Sequence, residues 1–246
     1  MKPVEVLKRI QTEEAGYSVN KFGFNNDVDT AGSEDVFSVG GLYPYATFST
    51  AQSLEFLSSS AEDGAGTETG ALEITINGLD ANGDDQTSVL STNGTSVVSI
   101  PGTWTAVNRA FVNDGETGSA GWNVGNITIR VASAGATVSE IPAARGQTQQ
   151  CVYRVPAGKT YRVTHVIAYT DAASGKTASM QLITVGTDCQ TTRVKSSGTL
   201  TENSKWDRKY DKGGVNVYAG EWVAMRVLSV SQNDTAITAD MDGVLE

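Results

Sequence analysis

"GLDANGDDQTSVL", residues 78–90, decides how the rest of the chain is read. It carries Asp80, Asn82, Asp84 and Asp85 within six positions, which suits either a calcium loop or a tight turn between strands. An EF-hand-type loop needs oxygen ligands at positions 1, 3 and 5, glycine at 6 and a bidentate glutamate at 12. Counted from Asp80, the first three fit, but position 6 is Asp85 and position 12 is Ser91. The flanks also disagree with calcium: "ALEITINGL" before and "QTSVL" after alternate as strands rather than helices. Asn82-Gly83 between two strands is a hairpin signal, because both residues tolerate positive φ. The stretch predicts a metal-free turn, with Asp80 and Asp84 flanking it in solvent.

The same texture runs outward in both directions. Alternating or β-branched segments fall at 53–58, 71–77, 86–91, 95–100, 106–112, 126–132 and 136–141. They resume at 149–155, 160–169, 178–185, 191–196, 215–218, 221–230 and 235–240. Glycine, asparagine and aspartate punctuate them, and the chain holds 26 glycines. Many short strands with such punctuation predict sandwiches or jelly rolls. The polar stretch 197–213 reads as a long loop or an edge hairpin. Turn acids such as Glu62-Asp63 and Asp114-Gly115-Glu116 read as solvated.

The expected fold class is all-β: two β-sandwich or jelly-roll-like halves with a short N-terminal helical or extended arm. The boundaries are 1–20 for a docking arm, 21–145 for one half and 146–246 for the other. "IPGTWTAVNRAFV" from Ile100 and "VPAGKTYRVTHVIAY" from Val155 echo each other, as either a duplication or reused strand-entry chemistry. In the arm, Val4, Leu7 and Ile10 fall three apart and form a narrow apolar stripe. A helix of that length does not hold alone in water, so the stripe is expected to dock on a partner surface.

Composition narrows the chemistry. A net charge of −10 leaves no basic surplus for displacing counterions from nucleic acid. No apolar run reaches transmembrane length, and the N-terminal residues lack the apolar core of a signal peptide. The expectation is therefore no nucleic acid, no membrane, and reduced thiols at Cys151 and Cys189. Neither cysteine has a visible histidine partner, and both read as structural.

His165 is the single histidine. Alternation places it on one face with Tyr161, Val163, Ile167 and Tyr169, and a hydrogen-bonded strand histidine is favoured over a base or ligand. No phosphate loop and no nucleophile elbow occur. No catalytic residue, metal ligand or cofactor is assigned, and the chain is not expected to be an enzyme. Trp206 and Tyr210, in "NSKWDRKYDKG", are the best aromatic candidates. Tryptophan beside arginine favours a protein interface there over a sugar platform.

"GALEITINGLDANGDDQTSVLSTNGTSVVS", "GNITIRV" and "IPAARGQTQQCVYRVPAGKTYRVTHV" carry a resemblance that covers roughly residues 50–170. The chain resembles small virion structural proteins of tailed bacteriophages, particularly those of marine and cyanobacterial hosts. The shared elements are turns and strand edges, so no site residue is carried over. The resemblance implies a non-enzymatic virion component assembled in the host cytoplasm. A capsid decoration (cement) protein bound to the major capsid protein or other virion proteins, in many copies or as a homo-oligomer, comes first. A neck or tail component is the alternative, and a carbohydrate- or receptor-binding module working through Trp206 and Tyr210 is a second class.

Overall fold

The computed structural model describes residues 16–64, 69–202, 204–210 and 213–246. Val4, Leu7 and Ile10 of the expected docking arm lie outside the described residues. The described strands are β1 (Tyr17–Val28), β2 (Glu34–Asp35), β3 (Gln52–Ser58), β4 (Glu73–Asp80), β5 (Asp85–Ser91), β6 (Val98–Val112), β7 (Ile127–Val131) and β8 (Thr137–Ile141). They continue with β9 (Val152–Arg154), β10 (Thr160–Thr170), β11 (Thr177–Val185), β12 (Thr192–Thr201), β13 (Lys205–Lys209), β14 (Val215–Tyr218), β15 (Trp222–Val230) and β16 (Thr235–Leu245). One 3-10 turn, Tyr45–Ser49, interrupts the β structure. The chain is all-β, as its alternation predicts.

Two units divide it. The first joins the residues up to Leu42 with Cys151–Glu246; the second is Tyr43–Gln150. The sequence reading set a boundary at 145/146, with residues 21–145 in one half. The N-terminal strand departs from that expectation, because β1 pairs antiparallel with β16 from Tyr17↔Leu245 to Val28↔Thr235. Residues 17–42 therefore belong with the C-terminal strands rather than with 43–145.

The first unit holds two five-stranded sheets. One runs β1-β16-β10-β13 with β14 also on β10; the other runs β12-β11-β15-β2 with β9 also on β15. Side chains from both sheets meet in one core, including Tyr161, Val166, Met180, Leu182, Met225 and Met241. Strand β2 has two residues, too few to hold by ladder bonds alone. Its Asp35 sits opposite Arg226 in the register and receives a two-pronged bond at 2.7 and 3.1 Å. Asp35 is fully buried, so breaking this pair is expected to cost about 3 kcal/mol or more.

The bulge in β10 corrects one expectation. Val163 and His165 face consecutive partners Gly243 and Asp242, leaving Thr164 as the extra residue. A bulge of one residue flips every later side chain. Val166 and Ala168 turn into the core, while His165, Ile167 and Tyr169 take the outer face. The strict alternation that grouped His165 with buried Tyr161 and Val163 fails at Thr164.

Among the described residues of 197–213, the end of β12 and the whole of β13 stand where a long loop or an edge hairpin was expected. β12 pairs with β11 in one sheet, and β13 pairs with β10 in the other. The chain crosses between sheets there, and Trp206 lies against Gly198. A Cβ at 198 would sit 2.6 Å from the indole, so only glycine leaves room.

The second unit is one antiparallel six-stranded sheet, ordered β5-β4-β6-β3-β7-β8. β6 merges two segments that the sequence reading kept apart, 95–100 and 106–112. Opposite β4 it carries extra residues at Thr105 and Asn108, two bulges that bend the sheet. Trp104 through Asn108 are buried without alternation, as a bent sheet enclosing its own core requires. Leu54, Phe56, Ile74, Ile76, Ile127 and Ile129 complete that core. The echo between residues 100 and 155 marks no shared topology: Pro101 lies inside β6, whereas Pro156 opens a turn before β10.

Candidate binding site

The turn at 80–85 joins β4 to β5 as a hairpin, with Leu79 opposite Asp85. Its geometry is shifted by one residue from the expected Asn82-Gly83 pair. The Gly83 amide donates to the Asp80 carbonyl at 3.1 Å, and Gly83 (φ 82°) has positive φ while Asn82 does not. That is a type I turn followed by a left-handed glycine. Asp80 is not an idle flank either. Its Oδ1 accepts from the amides of Asn82 at 2.7 Å and Asp84 at 3.0 Å. The carboxylate closes the turn by the local hydrogen bonding that favours aspartate there.

His165 bridges two acids on the outer face of its sheet. Its Nε2 lies 2.9 Å from Asp207 Oδ1, and its Nδ1 lies 3.5 Å from Asp242 Oδ2. A hydrogen bond from Lys205 Nζ, and then the one with His165, hold the Asp207 carboxyl down at about 2. Cys151 and Cys189 are both free thiols and both buried. Burial pushes the Cys151 thiol far above its ordinary value, as expected for an inert structural cysteine.

Trp206 and Tyr210 do not form a surface platform. Trp206 is 9% exposed and belongs to the first unit's core, with Tyr210 packed against the same cluster. Trp104 and Trp222 are fully buried, which leaves Trp122, at 50% exposure, as the indole that faces solvent.

Trp122 lines an open cleft of about 590 Å³ in the second unit. The end of β6 supplies Arg109 and Phe111, the turn after it supplies Asp114, and the loop after β8 supplies Arg145 and Gln147. The Arg109 guanidinium lies over the Phe111 ring, 5.8 Å from its centroid, and donates to Gln147 Oε1. The loop runs alongside β6 through the Val112 amide, which donates to the Gly146 carbonyl at 2.8 Å.

Two buried side chains fix the walls. Asn123, next to Trp122, donates to the carbonyls of Gly125 at 2.8 Å and Pro142 at 2.8 Å, and accepts from the Gly146 amide at 2.9 Å. It ties the Trp122 segment to the Arg145 loop. Asp63 accepts at 2.6–2.9 Å from Ser58 Oγ and from the amides of Ala71, Val124 and Gly125. Asp63 is fully buried, a correction to its reading as a solvated turn acid. Its partners lie up to 62 residues away in the chain, so no local pattern marks it.

A second grouping also escapes the sequence. Carboxylate oxygens of Asp27, Asp29 and Asp234 lie within 4.8 Å of one another, all exposed. A hydrogen bond with the Asp234 carboxyl, and then the charge of Asp29, raise the Asp27 carboxyl above its ordinary value. The three are like charges gathered by β1–β16 pairing at the mouths of two turns.

No protein-family model matches the chain, and no curated protein matches it. Among solved structures it shows a distant likeness to infectious bursal disease virus Gt strain, at 11% identity over 94% of this chain and 72% of that one, with a TM-score of 0.24. The infectious bursal disease virus VP2 subviral particle gives 11% identity, the same coverage and a TM-score of 0.26. T=1 particles derived from that virus give 11% identity over 95% and 79% of the two chains, with a TM-score of 0.16.

Proposed function

We propose that this chain is a structural protein of a tailed-phage virion that decorates the outside of the capsid shell. The observation that carries the reading is the use made of its buried polar side chains. Asp63, Asn123 and Asp35 each hold loops or strands in place through several short bonds. Glu55, also buried, does the same, accepting from the Ser133 and Ala134 amides and from Arg130. Residue types that carry chemistry in enzymes are here engaged in rigidity. A rigid β protein suits a role that consists of holding a surface, and the sequence resemblance to phage virion proteins supports a virion as the setting.

A decoration protein binds the assembled shell and not its separated subunits, so it stabilises the shell by linkage. Particles lacking this protein are expected to assemble, but to release DNA at lower temperature or under milder osmotic shock. Adding the purified protein back restores resistance in a saturable way. Particles that fail to form tails, or that fail only at adsorption while the shell keeps full stability, would refute decoration and assign the protein to the neck, tail or receptor-binding apparatus.

A further inference from the structure

The geometry points to a saccharide-binding site in the second unit, selective for sugars that carry a carboxylate, built on Trp122, Arg109 and Arg145. Its first support is the indole. Three of the four tryptophans are buried, yet Trp122 stands half exposed at the wall of a cleft. An exposed indole offers a flat apolar face with a polar edge, the surface that pyranose C–H groups stack on.

Charge gives the second support. The chain as a whole carries 28 acidic and 18 basic residues. The cleft reverses this balance: its charged lining residues are Arg109, Arg145 and Asp114. The Arg145 side chain makes no hydrogen bond or ion pair among the described residues, so its guanidinium is available for a carboxylate fork. Arg109 is already aimed by Phe111 and Gln147. Asp114, exposed at the rim, is an acceptor for sugar hydroxyls.

Preorganisation is the third. Asn123 and Asp63 fix both walls from beneath, so the cleft needs little ordering when a ligand enters. A shallow, open, polar cleft with one stacking face suits one or two sugar rings better than an apolar small molecule, which would demand enclosure. The overall charge of −10 works against the competing reading, a single-stranded nucleic acid stacked on the same indole.

The test uses the purified full chain. Tetragalacturonate, tetramannuronate, a hyaluronan tetrasaccharide and sialyllactose are titrated by calorimetry, with maltotetraose, citrate and an octathymidylate as controls. At least one acidic saccharide is expected to bind saturably and to change the tryptophan emission, since Trp122 is the indole open to solvent. Trp122→Ala should weaken that binding about tenfold or more, and Trp122→Phe should recover part of it. Arg145→Gln should weaken the acidic sugar about tenfold. Both positions are exposed, so melting temperatures should stay within a few degrees of the parent. The proposal is overturned if no acidic saccharide binds up to about 10 mM. Equal binding of citrate or the octathymidylate also overturns it, as does undiminished binding by a folded Trp122→Ala protein.

Discussion

At Asp63, two carboxylate oxygens accept one hydroxyl and three amide hydrogens with no exposure to water. A carboxylate offers about four acceptor positions, so nothing is left for a ligand. The residue ties the segment around 71 to those around 58 and 124, which lie side by side where β3 pairs with β7. Asp63→Asn keeps the shape but turns one acceptor into a donor facing N–H groups. It is expected to destabilise the second unit by about 3 kcal/mol, measured by urea unfolding, because bonds to a charge are lost and a buried donor is left without an acceptor. The sequence displays Glu62-Asp63 among small polar residues, which is how a solvated turn looks. Asp80 presents the same residue type and does sit in a turn. What separates them is contact with residues far along the chain, and composition contains no trace of it.

Strand β13 shows the same limit for an element. Its five residues, Lys205–Lys209, lie in a stretch so polar that it reads as a long loop or an edge hairpin, yet they pair with β10 from His165↔Lys209 to Tyr169↔Lys205. One buried tryptophan and a charged cross-strand set hold this edge. Asp207 links Lys205 and His165, and both partners favour its charged form. Its carboxyl is held below the ordinary 3.8, at about 2. The stability it contributes is therefore complete above pH 3.8 and lost as pH falls through about 2. Asp207→Asn should melt lower than the parent at pH 6, and the two melting temperatures should converge near pH 2. Parallel curves would show that the pairs contribute nothing to this edge. Elements rich in apolar and β-branched residues were legible within a residue or two, β7 and the start of β11 through period two and β3 and β15 as short buried runs. β1 was missed although it is twelve residues long: "YSVNKFGFNNDV" mixes lysine and asparagines into its strand. Of the cleft, nothing was legible. Trp122 lies among "TGSAGWNVG", and its companions at 109 and 145 come from other segments.

For the whole molecule, the division is the controlling feature. The second unit is continuous from Tyr43 to Gln150 and has its own sheet and core. Expressed alone, residues 43–150 are expected to fold and to melt in one cooperative transition, with the Trp122 emission of the full chain. A chain that stays unfolded under those conditions would show that the unit depends on the residues outside it. The first unit has the opposite character. β1 is held edge-on to β16, and Tyr17 meets its partner at Leu245, with nearly the whole sequence between them. That pairing sets a timetable for synthesis. As the polypeptide leaves the ribosome, residues 43–150 emerge complete and can collapse at once, while β1 waits unmatched until the last strand has been translated. During that interval "YSVNKFGFNNDV" is an open β edge in a crowded cell. The lysine and asparagines that hid it from recognition are the substitutions that discourage an unpaired strand from recruiting a neighbour.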